Sequence, residues 1–263
     1  MGTALITGAS AGLGLEFAWQ LATAKHDVVL VARDADRLEH LASQLRAAAG
    51  VRVEVLPADL TVRADVERVA ERLRATEHPV GLLVNNAGVG LNQRFVGGDL
   101  DVEERAIAVM VHAVLVLSHA AAGAMVERGR GAILNVASIA ALLASGTYSA
   151  HKAWVRTFTE GLAVELKGTG VTATVVSPGF VHTEFHERAG INMTALPDIA
   201  WLDADAVVAI ALADVRRGAV LSTPSLRYQA ASGIARVLPR FAVRALGNYR
   251  HRLTTAASES ESL

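Results

Sequence analysis

Thr3-Ala4-Leu5-Ile6-Thr7-Gly8-Ala9-Ser10-Ala11-Gly12-Leu13-Gly14 runs from a short apolar stretch through three spaced glycines into the start of a helical pattern. Glycine lets a chain turn tightly and approach a ligand closely. The helix beyond offers unpaired N–H groups and a positive dipole end to a diphosphate. A glycine turn alone also punctuates ordinary loops. Its place after an apolar strand and before a helix makes it a phosphate seat built from Gly8, Ser10, Gly12, Leu13 and Gly14.

Outward from this turn, strand and helix signals alternate. Helices are expected at 12–24, 34–49, 63–76, 101–128, 147–167 and 203–217. Strands are expected at 27–32, 51–56, 80–84, 132–136, 171–177 and 219–222. Alternating β and α with apolar strands predicts an α/β fold: a parallel sheet with helices on both faces, doubly wound in the Rossmann manner. Ligands in such sheets bind beyond the C-terminal strand ends. The Gly, Asn, Ser and Pro-Gly signals fall there. No Pro/Ser-rich linker or repeat divides the 263 residues, so one domain is expected over 1–263.

The second strand ends at Ala32-Arg33-Asp34. An acid at the strand end would bind a ribose 2′-hydroxyl and repel a 2′-phosphate. Here Arg33 follows Ala32, and a guanidinium pairs with phosphate through parallel hydrogen bonds. The expectation is NADP(H) rather than NAD(H). Two other readings stay open: Asp34 as a shifted ribose ligand, or Arg33 as a solvated residue with Asp34 capping the next helix. Asp59-Leu60, after the third strand, lies where adenine is expected. Asp59 suits the adenine amino group or a helix cap.

Tyr148-Ser149-Ala150-His151-Lys152 is a second signal. With only three tyrosines in the chain, a Tyr four residues before a Lys is a chance event in roughly 3% of such sequences. On a helix the two share a face. A cation about 5 Å from the phenol favours phenolate by roughly 3 kcal/mol, about two pKa units. The alternative is a surface Tyr and Lys.

Taken together, Gly8/Gly12/Gly14, Asn85-Asn86-Ala87-Gly88, Ser138, Tyr148 with Lys152, and Pro178-Gly179 with Thr183 resemble the short-chain dehydrogenase/reductase superfamily, from about Thr3 to Thr183. The resemblance implies that Tyr148 is the general acid in carbonyl reduction, or the base in alcohol oxidation. Lys152 would lower its pKa and bind the nicotinamide ribose, and Ser138 would hydrogen-bond the substrate oxygen. Asn86, Ala87 and Gly88 would pack beside the cofactor. Pro178, Gly179, Val181 and Thr183 would line its nicotinamide end. The resemblance also implies a homodimer or homotetramer, built through the helices at 101–128 and 147–167. Two departures stand out. The Ser138–Tyr148 interval is short, which predicts a tight loop and leaves Ser145 as a second candidate for the serine. Met110 occupies the place of an asparagine that supports a proton relay in many members. Methionine lacks the amide's donors and acceptors, so a non-catalytic nucleotide-binding protein is the rival reading.

Composition narrows the rest. The chain has no cysteine, which excludes disulfides and thiol chemistry. Its net charge of −1 gives no electrostatic case for nucleic acid. Thr3–Thr7 enters the glycine turn without a basic leader, so a cytoplasmic protein is expected. The uncharged stretch 106–126 is long enough to cross a bilayer, but reads better as a helix buried against the sheet and a second subunit. In the resembled fold residues 180–201 (Phe180, Phe185, Ile191, Met193, Leu196, Ile199, Trp201) cover the substrate, and so apolar a lid suits either a hydrophobic carbonyl or alcohol or packing on the cofactor. His182 and His186 lack a third metal ligand, so no metal is expected. The tail 224–263 is arginine-rich. It reads either as a surface for weak peripheral contact with an anionic membrane, or as a subunit-contacting or solvated tail.

Overall fold

The computed structural model describes residues 2–185, 197–239 and 241–245, with the side chain of Arg236 excepted. The chain-order elements are β1 (Thr3–Thr7), α1 (Gly12–Thr23), β2 (Asp27–Ala32), α2 (Ala35–Ala49), β3 (Val53–Pro57), α3 (Arg63–Arg74) and β4 (Val80–Asn85). There follow α4 (Leu100–Ile107), a π-helical turn (Ala108–His112), α5 (Ala113–Glu127), β5 (Gly131–Val136), a 3-10 turn (Ile139–Leu142), α6 (Gly146–Glu165) and β6 (Val171–Val176). The last are β7 (Phe180–Val181), β8 (Trp201–Leu202), α7 (Ala204–Arg216), β9 (Leu221–Ser222) and α8 (Leu226–Val237).

Seven strands form one sheet in the order β3-β2-β1-β4-β5-β6-β9, and every pairing is parallel. Strand order reverses between β1 and β4, so a crevice opens beyond their C-terminal ends. Strands such as Val28-Val29-Leu30-Val31 are apolar throughout because both faces are covered. One core lies between the sheet and α1 and α2, around Phe17, Leu30 and Leu38. The other lies under α3 and α5, around Leu73, Leu117 and Ile133.

A buried polar chain fixes the middle of the sheet. Asn85 Nδ2 donates to Ser118 Oγ at 3.1 Å and to Asn135 Oδ1 at 2.9 Å, and Asn135 Nδ2 donates to Thr159 Oγ1 at 2.9 Å. Each buried amide is thereby partnered, and β4, β5, α5 and α6 are tied in one register.

The helix expected at 101–128 exists but contains the π-helical turn at Ala108–His112. Such turns mark no particular residue type, and this stretch has neither Pro nor Gly to announce one. Leu100–Glu127 is long and apolar enough to cross a bilayer, with a mean hydropathy of 1.9. Its Leu117, Ala121 and Met125 instead pack in the core, and Ser118 accepts from Asn85. The expected burial on both sides is met on the sheet side; Ile107, Leu115 and Val126 on the other side are exposed. The apolar lid is described only in part. Phe180 and Val181 pair with Trp201 and Leu202 as a small separate sheet, while His186, Ile191, Met193 and Leu196 lie outside the described residues. So do Arg240 and the tail from residue 246.

Candidate active site

The glycine turn is held against the end of β4. Thr7 Oγ1 accepts from the backbone N–H groups of Asn86 and Ala87, each at 3.0 Å. Asn86 Nδ2 donates to the Thr7 carbonyl at 3.0 Å. Gly8 has φ +67°, and a Cβ there would approach Ala87 Cα at 3.0 Å. A Cβ on Gly14 would overlap the Gly8 carbonyl, so α1 reaches the turn only because residue 14 is glycine. Across the crevice, a Cβ on Gly12 would sit 3.3 Å from Thr183 Cβ. The cradle has the bare backbone and helix N-terminus that a dinucleotide's diphosphate requires.

At the end of β2, Arg33 is exposed. Asp34 caps α2: its Oδ1 accepts from Arg37 N at 3.0 Å, and Oδ2 lies 3.5 Å from Arg37 Nε. The capping reading of Asp34 is therefore realised. Arg37, one turn after Arg33, also faces Glu184 at 3.9 Å. With Ser10 and His40 it lines a depression of about 440 Å³. Asp59 Oδ1 accepts from Thr61 N at 2.9 Å and Thr61 Oγ1 at 2.8 Å. It thus closes the turn before α3 rather than capping that helix, whose N-cap is Val62. Leu60 is buried beside it.

At the ends of β5 and β6 the other candidates converge. Lys152 is 4% exposed, and its Nζ donates to the Val136 carbonyl at 2.8 Å. Nζ lies 5.8 Å from the centroid of the Tyr148 ring. Burial lowers the Lys152 pKa from 10.5 to about 8, because a cation loses its hydration in the interior. A Cβ on Gly88 would stand 3.6 Å from Nζ and 3.9 Å from Met110 Cγ. Glycine therefore leaves open the space beside the ammonium, and buried Met110 lies at its edge within the π-helical turn. Ser138 follows β5 and starts the 3-10 turn, with Oγ accepting from Ala140 N at 3.1 Å. That bond uses an oxygen lone pair and does not engage the hydroxyl proton. Ile139 N donates to the Pro178 carbonyl at 3.0 Å, which brings Ser138 to the Pro178-Gly179 turn. Ser145 caps the backbone before α6 without a side-chain bond. The Tyr148 ring faces Phe185 of the lid, with centroids 6.2 Å apart.

Three contributors lie outside the sequence expectations. Glu103, buried on α4, accepts from Thr147 Oγ1 at 2.6 Å and Gln93 Nε2 at 3.0 Å, so a carboxylate anchors the residue before Tyr148. Near it, burial holds the His151 imidazole below its usual pKa; Glu103 opposes this and Lys152 reinforces it. Tyr228 on α8 packs its ring against Gly179, donates to the Ala200 carbonyl at 2.6 Å and accepts from Phe180 N at 3.4 Å. His182 stacks on Trp201 at 4.6 Å.

Comparison with known proteins places the fold in a family. The short chain dehydrogenase family matches residues 2–193, and the chain belongs to that family, as an oxidoreductase. An uncharacterized oxidoreductase of Myxococcus xanthus (strain DK1622) is 37% identical over 250 residues, covering 90% of this chain and 92% of the relative. A short-chain dehydrogenase from Sphingobium yanoikuyae, solved in complex with NADPH, superposes with a TM-score of 0.83 at 38% identity, over 90% of this chain and 94% of that one. The bulky-bulky ketone specific alcohol dehydrogenase from Comamonas testosteroni gives a TM-score of 0.78 at 31% identity, over 91% and 96%.

Proposed function

We propose that this oxidoreductase uses NADP(H) and acts on a hydrophobic carbonyl or alcohol, working as a carbonyl reductase. The observation that carries the reading is the buried Lys152 ammonium 5.8 Å from the Tyr148 ring, at the strand ends beside the glycine cradle. Gly8, Ser10, Gly12, Leu13 and Gly14 would seat the diphosphate, with Thr183 opposite. Arg33 would take the 2′-phosphate, and Asp59 and Leu60 the adenine. Asn86, Ala87, Gly88, Pro178, Gly179 and Val181 would line the remainder, with Lys152 on the nicotinamide ribose. The NADPH complex of the Sphingobium relative supports the cofactor, and the Comamonas relative's ketone specificity supports a bulky apolar substrate.

The bound nicotinamide supplies the hydride. Ser138 donates a hydrogen bond to the substrate oxygen. The Tyr148 hydroxyl gives its proton to that oxygen as negative charge develops there. The Lys152 cation stabilises the phenolate left behind. Met110 lacks the donors and acceptors of an amide, so a relay at this point would run through its backbone carbonyl in the π-helical turn. Chain copies would associate through the exposed side of α4–α5 and through α6, where Trp154 and Phe158 stack at 4.8 Å.

Arg33→Ala is expected to weaken NADPH binding by roughly ten- to hundredfold, the worth of one or two charge-assisted hydrogen bonds, and to leave NADH binding unchanged. Fluorescence titration with each cofactor reads both numbers. Equal affinities for NADPH before and after the substitution would remove Arg33 from the site. Ketones of increasing apolar bulk, followed by NADPH consumption, test the substrate class: failure of every one would favour the non-catalytic reading.

A further inference from the structure

Helix α8 turns its more apolar face outward. Tyr228, Ser232 and Ala235, at i, i+4 and i+7, form the inner face. Leu226, Ala230, Gly233, Ile234 and Val237 share the opposite face, and all five are exposed. Leu226 is 82% exposed, Ile234 59% and Val237 82%; past Pro239, Phe241 is 68% exposed. Water is a poor neighbour for so contiguous an apolar stripe. The surrounding charge has one sign. From Val215 to Ser258 the sequence contains no Asp or Glu, yet carries Arg216, Arg217, Arg227, Arg236, Arg240, Arg244, Arg250 and Arg252. Of these, Arg216, Arg217, Arg227 and Arg244 are exposed, and Arg227 adjoins Leu226 at the start of the stripe.

The same helix holds the edge of the lid. Arg227 donates to the Ile199 carbonyl and Tyr228 to the Ala200 carbonyl, and the Ile199 side chain is itself exposed. The helix that carries the stripe therefore also holds residues 199 and 200.

We propose that α8 is a docking surface for an anionic lipid bilayer, on which the enzyme rests peripherally. Apolar side chains at the acyl boundary with arginines among the headgroups is the arrangement that interfacial helices use. A second copy fits this face less well. A two-fold contact through it would bring Arg227 of each copy into one interface with its like-charged image, whereas Ile107 and Leu115 offer copies a separate apolar face. Docking stands on this surface alone; its use, to pass an apolar carbonyl from bilayer to lid, rests on the function proposed above.

The test is co-sedimentation of the full-length protein with vesicles of phosphatidylcholine, alone or mixed with phosphatidylserine. At low salt the mixed vesicles should bind at least about tenfold more protein, and raising the salt should reverse this. The double variant Ile234→Glu, Val237→Glu should lose roughly tenfold in bound fraction, with turnover of a water-soluble ketone unchanged; Phe241→Glu should act in the same direction. Wild-type protein that ignores the mixed vesicles at low salt, or variants that bind as well as wild type, would overturn the proposal. So would a double variant that changes the oligomeric state while vesicle binding stays as it was. Binding is read without turnover, so an inactive protein that still binds vesicles would refute the enzyme reading and leave the surface standing.

Discussion

Tyr148→Phe should lower turnover by about a thousandfold and leave NADPH binding nearly intact. The substitution removes one oxygen and keeps the ring, so its contact with Phe185 at 6.2 Å persists. What disappears is the proton delivered to the developing alkoxide, a contribution of about 10²–10⁴ in rate. The cradle for the diphosphate lies on β1, α1 and the end of β4, away from the hydroxyl, so affinity should hold. Steady-state kinetics with a turned-over ketone, paired with NADPH titration, separates the two effects. Full activity in the variant would take Tyr148 out of the mechanism; lost NADPH affinity would make it a binding residue instead.

Lys152→Met should cost at least about a hundredfold in rate while changing stability with a distinctive pH dependence. Burial holds the folded-state pKa near 8, below the ordinary 10.5. Between these values the unfolded chain binds the extra proton, so wild-type stability gains from Lys152 as pH rises through the window. Below about pH 8 the full cost of burying the cation is present, and above about pH 10.5 it is gone. The variant has no such group. Its stability relative to wild type should therefore fall by about 3 kcal/mol from pH 8 to 10.5, a difference from which the titrations of groups remote from Lys152 cancel. Urea unfolding of both proteins across that range, without cofactor, measures it. A flat difference would mean that the ammonium is solvated and unable to tune its neighbour.

Much of the fold is legible in the chain. The strand at 27–32 has the expected bounds, because an unbroken apolar run between a polar residue and Arg33 has no other register in a buried parallel sheet. Asp34 before Leu38, Leu41 and Leu45 likewise marks the start and inner face of α2. The last strand is shorter than the expected 219–222, since only Leu221 and Ser222 find partners, on Val175 and Val176. Pairing, not propensity, sets an edge strand's length. The candidate site is legible where its residues lie near in sequence, as with Tyr148 and Lys152 one helical turn apart. Glu103 beneath Thr147, Tyr228 against Gly179, and Asn85 joined to Asn135 depend on contacts 44, 49 and 50 residues apart, and nothing local announces them. The π-helical turn leaves no local mark either.

The strand order also bears on how the protein is made. β1 leaves the ribosome first, yet its inner neighbour is β4, and Thr7 meets the N–H of Ala87 across 80 residues of chain. Until β4 has emerged, the nascent chain can close only the β1–β2–β3 side, with the other edge of β1 unpaired. If coenzyme binds as proposed, its pocket is incomplete until β6 and the Pro178-Gly179 turn have emerged. From then on, any nucleotide that binds the finished pocket draws the last assembly steps forward by mass action, so cellular coenzyme supply would influence the yield of folded protein as well as its reaction rate.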